Sequence, residues 1–264
     1  MEPDVPISQI THIKQTLLSA IAQQKIGLVY QGQTSLPSKQ LVGLEALCRI
    51  APSTLGEVSP DQFIPVAEDE GLIEPLERLV FAQLAQDLPQ LLQQHPNIRI
   101  GVNLSIQHIT ALDFLPYIHT WLDALPKPTI ERLDFEITET YFQRISQAVI
   151  DGLQVLRKRG VRIVMDDFGS GQSSLSRLHM LPFDVIKLDK QFAQQIEQPM
   201  VYAIVKAAVA FTQEFGIELI AEGVETTKQC QALQELGCHL VQGFLFSHPQ
   251  PLAHWLSSSS AHTS

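Results

Sequence analysis

Hydrophobic positions along this chain alternate between two rhythms. Short apolar runs, such as Ile100-Gly101-Val102, Leu133-Asp134-Phe135 and Val161-Arg162-Ile163-Val164-Met165, have the length and β-branched content of buried strands. Between them, apolar residues recur every three to four positions, as on one face of a helix. The spacing of Ile10, Ile13, Leu17, Leu18 and Ile21 predicts a leading helix over 10–24, followed by extended segments over 26–31 and 41–47. Only a turn around Leu36-Pro37-Ser38 joins those two segments, with no room for a crossover helix, so the pair is expected to be antiparallel. Ser59-Pro60-Asp61-Gln62 then opens a helix with a cap, a proline at the first helical position and a capping box. Beyond it the pattern predicts helices over 75–94, 105–123, 145–159, 199–215 and 226–236. Strands are predicted over 98–103, 132–137, 161–166, 184–188, 218–221 and 239–242. Gly216 is expected to close the 199–215 helix, whose Ile204, Val205, Ala208, Phe211 and Phe215 are expected to form one buried face.

Strand and helix in repeated alternation predict a parallel sheet. The strand-end residues Asn103, Glu136 and Asp166 lie 33 and 30 positions apart, about one βαβ repeat. Closing such units gives the expected fold class, α/β, a TIM-like (β/α)8 barrel with one antiparallel strand. In that fold the carboxyl ends of the strands meet at one face. Glu45, Asn103, Glu136, Asp166, Asp167, Lys187, Glu222 and Gln242 each end an apolar run and are expected to converge there. With 264 residues, 45% of them hydrophobic, the chain suits one barrel domain over 10–256. An N-terminal extension (1–9) and a small polar tail (257–264), expected to be disordered, flank it.

The formal net charge of −10 and a pI near 5.3 argue against a polymeric nucleic acid as partner, because that affinity comes from many Lys and Arg side chains neutralising phosphates. A small phosphorylated ligand held through metal remains open. Cys48, Cys230 and Cys238 form an odd set without a CxxC pair, so neither a disulfide framework nor a zinc site is suggested. Reduced, buried thiols in a cytoplasmic protein are the expectation. The start has no basic region leading into an apolar stretch, and no apolar run reaches about 18 residues, so no membrane segment is predicted.

Five carboxylates at one barrel mouth repel one another unless cations neutralise them. Oxygen donors without His or Cys select Mg²⁺ or Mn²⁺ over zinc or copper. Asp166 and Asp167 are neighbours in an extended segment, where side chains normally point to opposite faces. A bend at the strand terminus would let one carboxylate bridge two cations while its neighbour holds the second. Lys187 sits among these acids, either holding a hydroxide or phosphate oxygen or forming a structural salt bridge. Two metal ions can bind both nonbridging oxygens of a phosphodiester, activate water and stabilise the leaving alkoxide, so phosphodiester hydrolysis fits the inventory. A glycosidase would need only a carboxylate pair and would leave Asn103, Asp167 and Lys187 unexplained.

Nine segments then occur in order: Val29-Tyr30-Gln31, Glu45-Ala46-Leu47-Cys48-Arg49, Phe63-Ile64-Pro65-Val66-Ala67-Glu68, Val102-Asn103-Leu104-Ser105, Glu136-Ile137-Thr138-Glu139, Asp166-Asp167-Phe168-Gly169, Ile186-Lys187-Leu188-Asp189, Ala221-Glu222-Gly223-Val224-Glu225-Thr226 and Gln242-Gly243-Phe244-Leu245-Phe246. Through them the chain resembles the EAL domain family of cyclic di-GMP phosphodiesterases over about residues 10–255. The resemblance implies metal-dependent hydrolysis of cyclic di-GMP to linear 5′-pGpG, with two Mg²⁺ or Mn²⁺ ions per site. By that resemblance Glu45, Asn103, Glu136 and Asp166 hold one ion, and Asp166 bridges to a second that Asp167 and Glu222 complete. Lys187 contacts the nucleophilic water. Glu222 has also been viewed as a general base, although a ligated carboxylate is a poor proton acceptor, which favours metal-activated water oriented by Lys187. Gln31, Leu47, Arg49, Glu225 and Gln242 are implied to line the substrate site, Arg49 as a fork-shaped phosphate donor. Glu139 is implied to anchor the loop after the Asp pair, a loop that couples the dimer interface to metal binding in relatives.

The resemblance also implies a homodimer and possible sensory or GGDEF partner domains. Its alternative is a catalytically silent EAL domain acting as a cyclic di-GMP receptor or a protein-interaction module. Four positions depart from the family pattern: Gly32 where Pro is usual, Ile50 where Trp is usual, Gln172 where an aromatic is common, and His248 where Lys often stands. Gly32 and Ile50 are expected to loosen the guanine pocket, and Gln172 to alter loop packing or dimer strength. His12, His95, His108, His119, His179, His239 and His254 match no motif and are expected at the surface or at helix caps. Glu68, Asp69 and Glu70 are expected to be solvated, with support of the fold as the alternative for Glu68 because it falls within a family motif, and Trp121 and Trp255 are expected to serve packing.

Overall fold

The computed structural model describes residues 7–50, 58–139, 146–169 and 183–257. Helix α1 (Ile7–Ala22) leads into strands β1 (Ile26–Ser35) and β2 (Gln40–Ile50). There follow α2 (Pro60–Asp69), α3 (Ile73–Gln94), β3 (Arg99–Asn103), α4 (Ile106–Ile109), α5 (Phe114–Asp123), α6 (Lys127–Ile130), β4 (Leu133–Thr138), α7 (Gln147–Lys158) and β5 (Arg162–Phe168). The remainder is β6 (Val185–Leu188), α8 (Lys190–Gln194), α9 (Pro199–Phe215), β7 (Glu218–Ala221), α10 (Thr227–Glu235), β8 (Leu240–Gln242), β9 (Gln250–Pro251) and α11 (Leu252–Ser257).

Strands β2 through β8 pair in parallel in chain order, and β1 closes the ring by pairing antiparallel with both β2 and β8. The fold is therefore a TIM-like barrel with one reversed strand, the result of the short β1–β2 turn. Strand β9 adds to β1 on the mouth side, opposite Val29 and Tyr30. Period-two alternation sorts the strand residues. Leu44, Ala46, Ile100, Val102, Leu133, Phe135, Ile163, Met165, Ile186 and Leu188 face outward into the main core shared with the helices. Val164, Val185 and Ile220 form a small apolar plug inside the barrel with Leu240. The interior positions one step toward the mouth are Asp166, Lys187, Glu222 and Gln242, two residues beyond each plug residue.

Several expectations change. The predicted 105–123 helix is two pieces, α4 and α5, because Pro116, in the first turn of α5, has no N–H to donate back to Leu112 and so cannot carry a helix through the 110–113 segment. Helix α9 has the predicted span, with Gly216 at φ 65 ending it. Its buried face is Val205, Val209 and Thr212, whereas Ile204 and Phe215 are 44% and 65% exposed. Alanines flank both stripes, so the apolar period fits two adjacent faces, and packing on β7 selects the one carrying Val205 and Val209. Of the cysteines, only Cys238 is buried, while Cys48 and Cys230 are half-buried; all three are free. Ile50 packs with Ile13, Leu17 and Phe63 beneath α1 and α2, away from the barrel interior. Gly32 is likewise fixed, its N–H donating to Ser247 Oγ at 3.0 Å, a bond proline could not make. Gln172, His179 and the 258–264 tail lie outside the described residues. Among the described residues no helix is long and apolar enough to cross a membrane.

Candidate active site

Strand alternation places Glu45, Leu47 and Arg49 of β2 on one face, with Glu45 opposite Gln31. Glu45 and Glu136 stand inside their strands rather than at the ends, because β2 and β4 continue past them. Gly101 makes room: a Cβ there would collide with the Glu136 carboxylate. Asn103 ends β3 and its Nδ2 donates to Glu45 Oε1 at 2.8 Å.

The Asp pair escapes ordinary strand alternation. Pairing of β5 with β6 slips between Met165 and Phe168, and Asp167 takes a left-handed φ of 56. Asp tolerates that conformation better than most side chains, and the turn brings both carboxylates to one side. Ligand atoms of Glu45, Glu136 and Asp166 lie within 4.8 Å of one another, as do those of Asp166, Asp167 and Glu222. Two acidic triads thus share Asp166.

Lys187 stands between them, 1% exposed, with its Nζ 2.7 Å from Glu136, 2.8 Å from Glu222, and 3.2 Å from both Glu45 and Asp166. Burial drives an ammonium toward neutrality, but the charges of Asp166, Glu136, Glu222 and Glu45 outweigh it and hold Lys187 well above its ordinary value. One ammonium does not satisfy five acids. Burial, then the neighbouring charges of Asp166 and Glu45, pushes Glu222 up to about 8 against the pull of Lys187. Burial and Asp166 push Asp167 up to about 6. Glu136 and Asp166 are also raised, chiefly by burial. Glu45 alone goes down: burial opposes its ionisation, but Lys187, Gln242 and Asn103 overcome that.

Comparison with known proteins fits this geometry. The EAL domain family model matches residues 14–249. The chain belongs to the EAL domain family. It is 35% identical over 253 residues to the oxygen sensor protein DosP of Escherichia coli (strain K12), covering 92% of this chain and 31% of DosP. It is 36% identical over 242 residues to RocR of Pseudomonas aeruginosa, named a cyclic di-GMP phosphodiesterase, covering 88% of this chain and 59% of RocR. The EAL enzyme Bd1971, solved with cAMP and cyclic di-GMP bound, superposes with a TM-score of 0.87 at 29% identity, over 95% of this chain and 68% of that one. The EAL domain described here thus spans about a third of DosP and under two thirds of RocR.

The other anticipated residues of this EAL domain divide by depth. Gln31 and Gln242 are buried: Gln242 Nε2 donates to Glu45 Oε2 at 2.6 Å and to Gln31 Oε1 at 3.2 Å, while Gln33 donates to Gln242 at 3.1 Å. Leu47 and Arg49 are half-buried where β2 extends beyond its last pairing with β3, and Glu225 is exposed after β7. Glu139 Oε2 accepts from the Gly169 N–H at 2.5 Å, at the first residue after Phe168.

One buried network escaped the sequence reading. His108 is fully buried, not superficial, with Nδ1 2.6 Å from Glu77 Oε2. Glu77 Oε1 accepts from the Ser105 N–H at 2.6 Å, and half-buried Glu68 accepts from Ser105 Oγ at 2.7 Å, in keeping with the fold-supporting role suggested by its motif. These bonds fix the turn directly after Asn103. The signal was present: Glu77 interrupts the apolar stripe of Ile73, Leu76, Val80, Phe81 and Leu84 on α3, and a lone acid on a buried face needs a partner.

Proposed function

We propose that this EAL domain hydrolyses cyclic di-GMP to linear 5′-pGpG with two divalent ions, Mg²⁺ or Mn²⁺. The observation that carries the reading is the pair of acidic triads sharing Asp166 around Lys187. The residues fit such ions: the donors are hard oxygens, and the raised values of Glu136, Asp166, Asp167 and Glu222 describe an excess of buried negative charge that cations relieve. Glu45, Asn103, Glu136 and Asp166 would hold one ion, and Asp166, Asp167 and Glu222 the other. Bound there, the ions supply Lewis-acid polarisation of the phosphodiester and an activated water.

The chain's own side chains do the rest. Lys187, held charged, has protons to donate and none to accept, so it orients the attacking water rather than acting as base. Glu222 retains its proton up to about pH 8 without a cation and loses basicity when it binds one, so it serves as ligand. Gln242 and Asn103 hold opposite oxygens of Glu45. Arg49 offers a guanidinium fork to a phosphate, with Leu47, Gln31, Gln242 and Glu225 around the dinucleotide. The water oxygen bonds to phosphorus and the water gives up a proton to solvent, the P–O3′ bond breaks, and the leaving O3′ takes up a proton from solvent to become the 3′-hydroxyl.

Incubation of the purified chain with cyclic di-GMP and Mn²⁺ is expected to yield 5′-pGpG by chromatography, and Glu45→Ala to yield at least about 10³-fold less. Tight binding without product from either protein would support the receptor alternative. The reading also includes a cytoplasmic location, regulatory input from sensory or GGDEF domains, and a homodimer. Glu139, bonded to Gly169, would tie the loop after the Asp pair to that regulation. Met200, Ile204 and Phe215, exposed along α9, support a self-associating face. Sedimentation is expected to show a dimer that Ile204→Glu weakens.

A further inference from the structure

Strand β1 carries a second buried glutamine two residues beyond Gln31. Period two puts Gln33 on the same inward face, opposite Gln242 of β8 and Gly43 of β2. Gln31, Gln33 and Gln242 are 8%, 6% and 4% exposed, so their amides depend on partners within the protein. Gln33 has room to lie there because β2 offers no side chain at its pairing position: a Cβ on Gly43 would collide with Gln33 Oε1.

Two acceptors decide how these amides point. An amide has an oxygen end and a nitrogen end, and the hydrogen-bonding capacity of each neighbour selects which end it meets. Ser247 O can only accept, so Gln31 turns Nε2 toward it, at 3.1 Å, and presents Oε1 to Gln242. Glu45 Oε2, which already accepts from Lys187, meets the Nε2 of Gln242 at 2.6 Å. Gln242 thereby spends its N–H groups on Glu45 and Gln31. Its Oε1 is left on the β1 side, where Gln33 Nε2 donates to it at 3.1 Å. Without that donor the carbonyl end of Gln242 would lose its bond inside the barrel, a costly state that turning the amide away from Glu45 would relieve.

We propose that Gln33 is a positioning residue for the ion that Glu45 holds: its donation to Gln242 sets the amide that in turn orients the Glu45 carboxylate. The proposal rests on the two-ion reading above. Gln33 itself bonds to Gln242 rather than to a ligand, so it contributes affinity for the ion and no step of the chemistry. Groups that orient metal ligands from outside commonly carry about ten- to a hundredfold of the affinity. Glu45 belongs to only one of the two acidic triads, so the effect falls on one ion. A general loosening of the barrel mouth would weaken both.

Calorimetric titration of Mn²⁺ into the full chain without nucleotide reads the two ions apart from any turnover. Gln33→Met, which keeps the length of the side chain and removes its amide, is expected to weaken one ion about tenfold and leave the other within about twofold. Gly43→Ala, which crowds Gln33 Oε1 from β2 instead, is expected to weaken the same ion by about threefold or more. Gln242→Met should weaken it about thirtyfold, and Gln33→Met added to that variant should cost nothing further, because Gln33 acts through Gln242. In turnover of cyclic di-GMP, excess Mn²⁺ should return kcat of Gln33→Met to within about twofold of wild type. Binding of both ions by Gln33→Met as in wild type, or equal weakening of the two, overturns the positioning role and leaves the enzyme reading standing. Losses that multiply in the double variant overturn it as well. The selective loss in a protein that shows no turnover keeps the role and removes the enzyme reading. No Mn²⁺ bound by wild type overturns both.

Discussion

The two ends of this barrel hold similar charged groups in opposite balance. At the amino ends of the strands, Asp134 sits between Arg99 at 2.6 Å and Arg162 at 2.7 Å, Arg162 also meets Glu218, and Arg157 grips both oxygens of Asp184. These three arginines face three carboxylates. At the carboxyl ends, Glu45, Glu136, Asp166, Asp167 and Glu222 share Lys187. A balanced cluster with forked, multidentate bonds is complete and fastens strand to strand. An unbalanced one keeps electrostatic stress that only further cations remove, which is what a site for ions and an anionic ester requires. Barrels place stability at the amino face and chemistry at the carboxyl face, and here the difference is visible as a charge count.

The comparison breaks most sharply at Lys187. Lys187→Met keeps the side chain's length and apolar stem but removes the ammonium that contacts four carboxylates. With Mn²⁺ present, kcat for cyclic di-GMP is expected to fall about 10²- to 10³-fold while the protein stays folded. In EDTA the same variant should melt well below wild type. A variant of near wild-type kcat would reduce Lys187 to a structural counter-ion.

The amino face should respond in the opposite manner. Asp134 is nearly buried and serves two guanidinium groups, so Asp134→Ala is expected to cost about 3 kcal/mol of stability, lowering Tm by roughly 10 °C. The kcat of the molecules still folded should not change. Thermal scanning together with initial rates at 20 °C below the variant's Tm checks both halves. A large loss of kcat at that temperature would mean that the two faces are coupled.

What the sequence made legible follows the same division. The mouth was readable because Glu136, Asp166 and Lys187 are charged residues in apolar strands, where burial without function is costly. The reversed β1 was readable because Leu36-Pro37-Ser38 leaves no room for a crossover. Helix α9 misled because an alanine-rich segment with two apolar stripes has no unique inward face until β7 supplies one. The left-handed Asp167 and the slipped register beneath it lie below the resolution of any pattern, since period two predicts opposite faces for Asp166 and Asp167. His108 and Glu77 are 31 positions apart, so neither announces its partner locally.

The smallest expected effect is the most direct measure of stress at the mouth. Without cations, burial and the neighbouring acids hold Glu222 at about 8 against an ordinary 4.5, and Asp167 at about 6 against 3.8. An acid raised in the folded state binds its proton more readily there than in the unfolded chain, so stability falls as pH climbs from the ordinary value to the raised one and is level above it. The metal-free protein is therefore expected to lose Tm, on the order of 5 °C, between about pH 5 and 8.5. Glu45, shifted the other way, offsets part of this only at the acid end. If Mn²⁺ binds the triads as proposed, it would stabilise the ionised carboxylates, so the Tm increment it gives should grow with pH and flatten the slope. Asp134→Ala should shift the whole curve downward without changing that slope. A Tm independent of pH in EDTA, or an equal Mn²⁺ increment at both ends of the range, would mean that the mouth bears its excess of acids without stress and that charge balance does not distinguish the two faces.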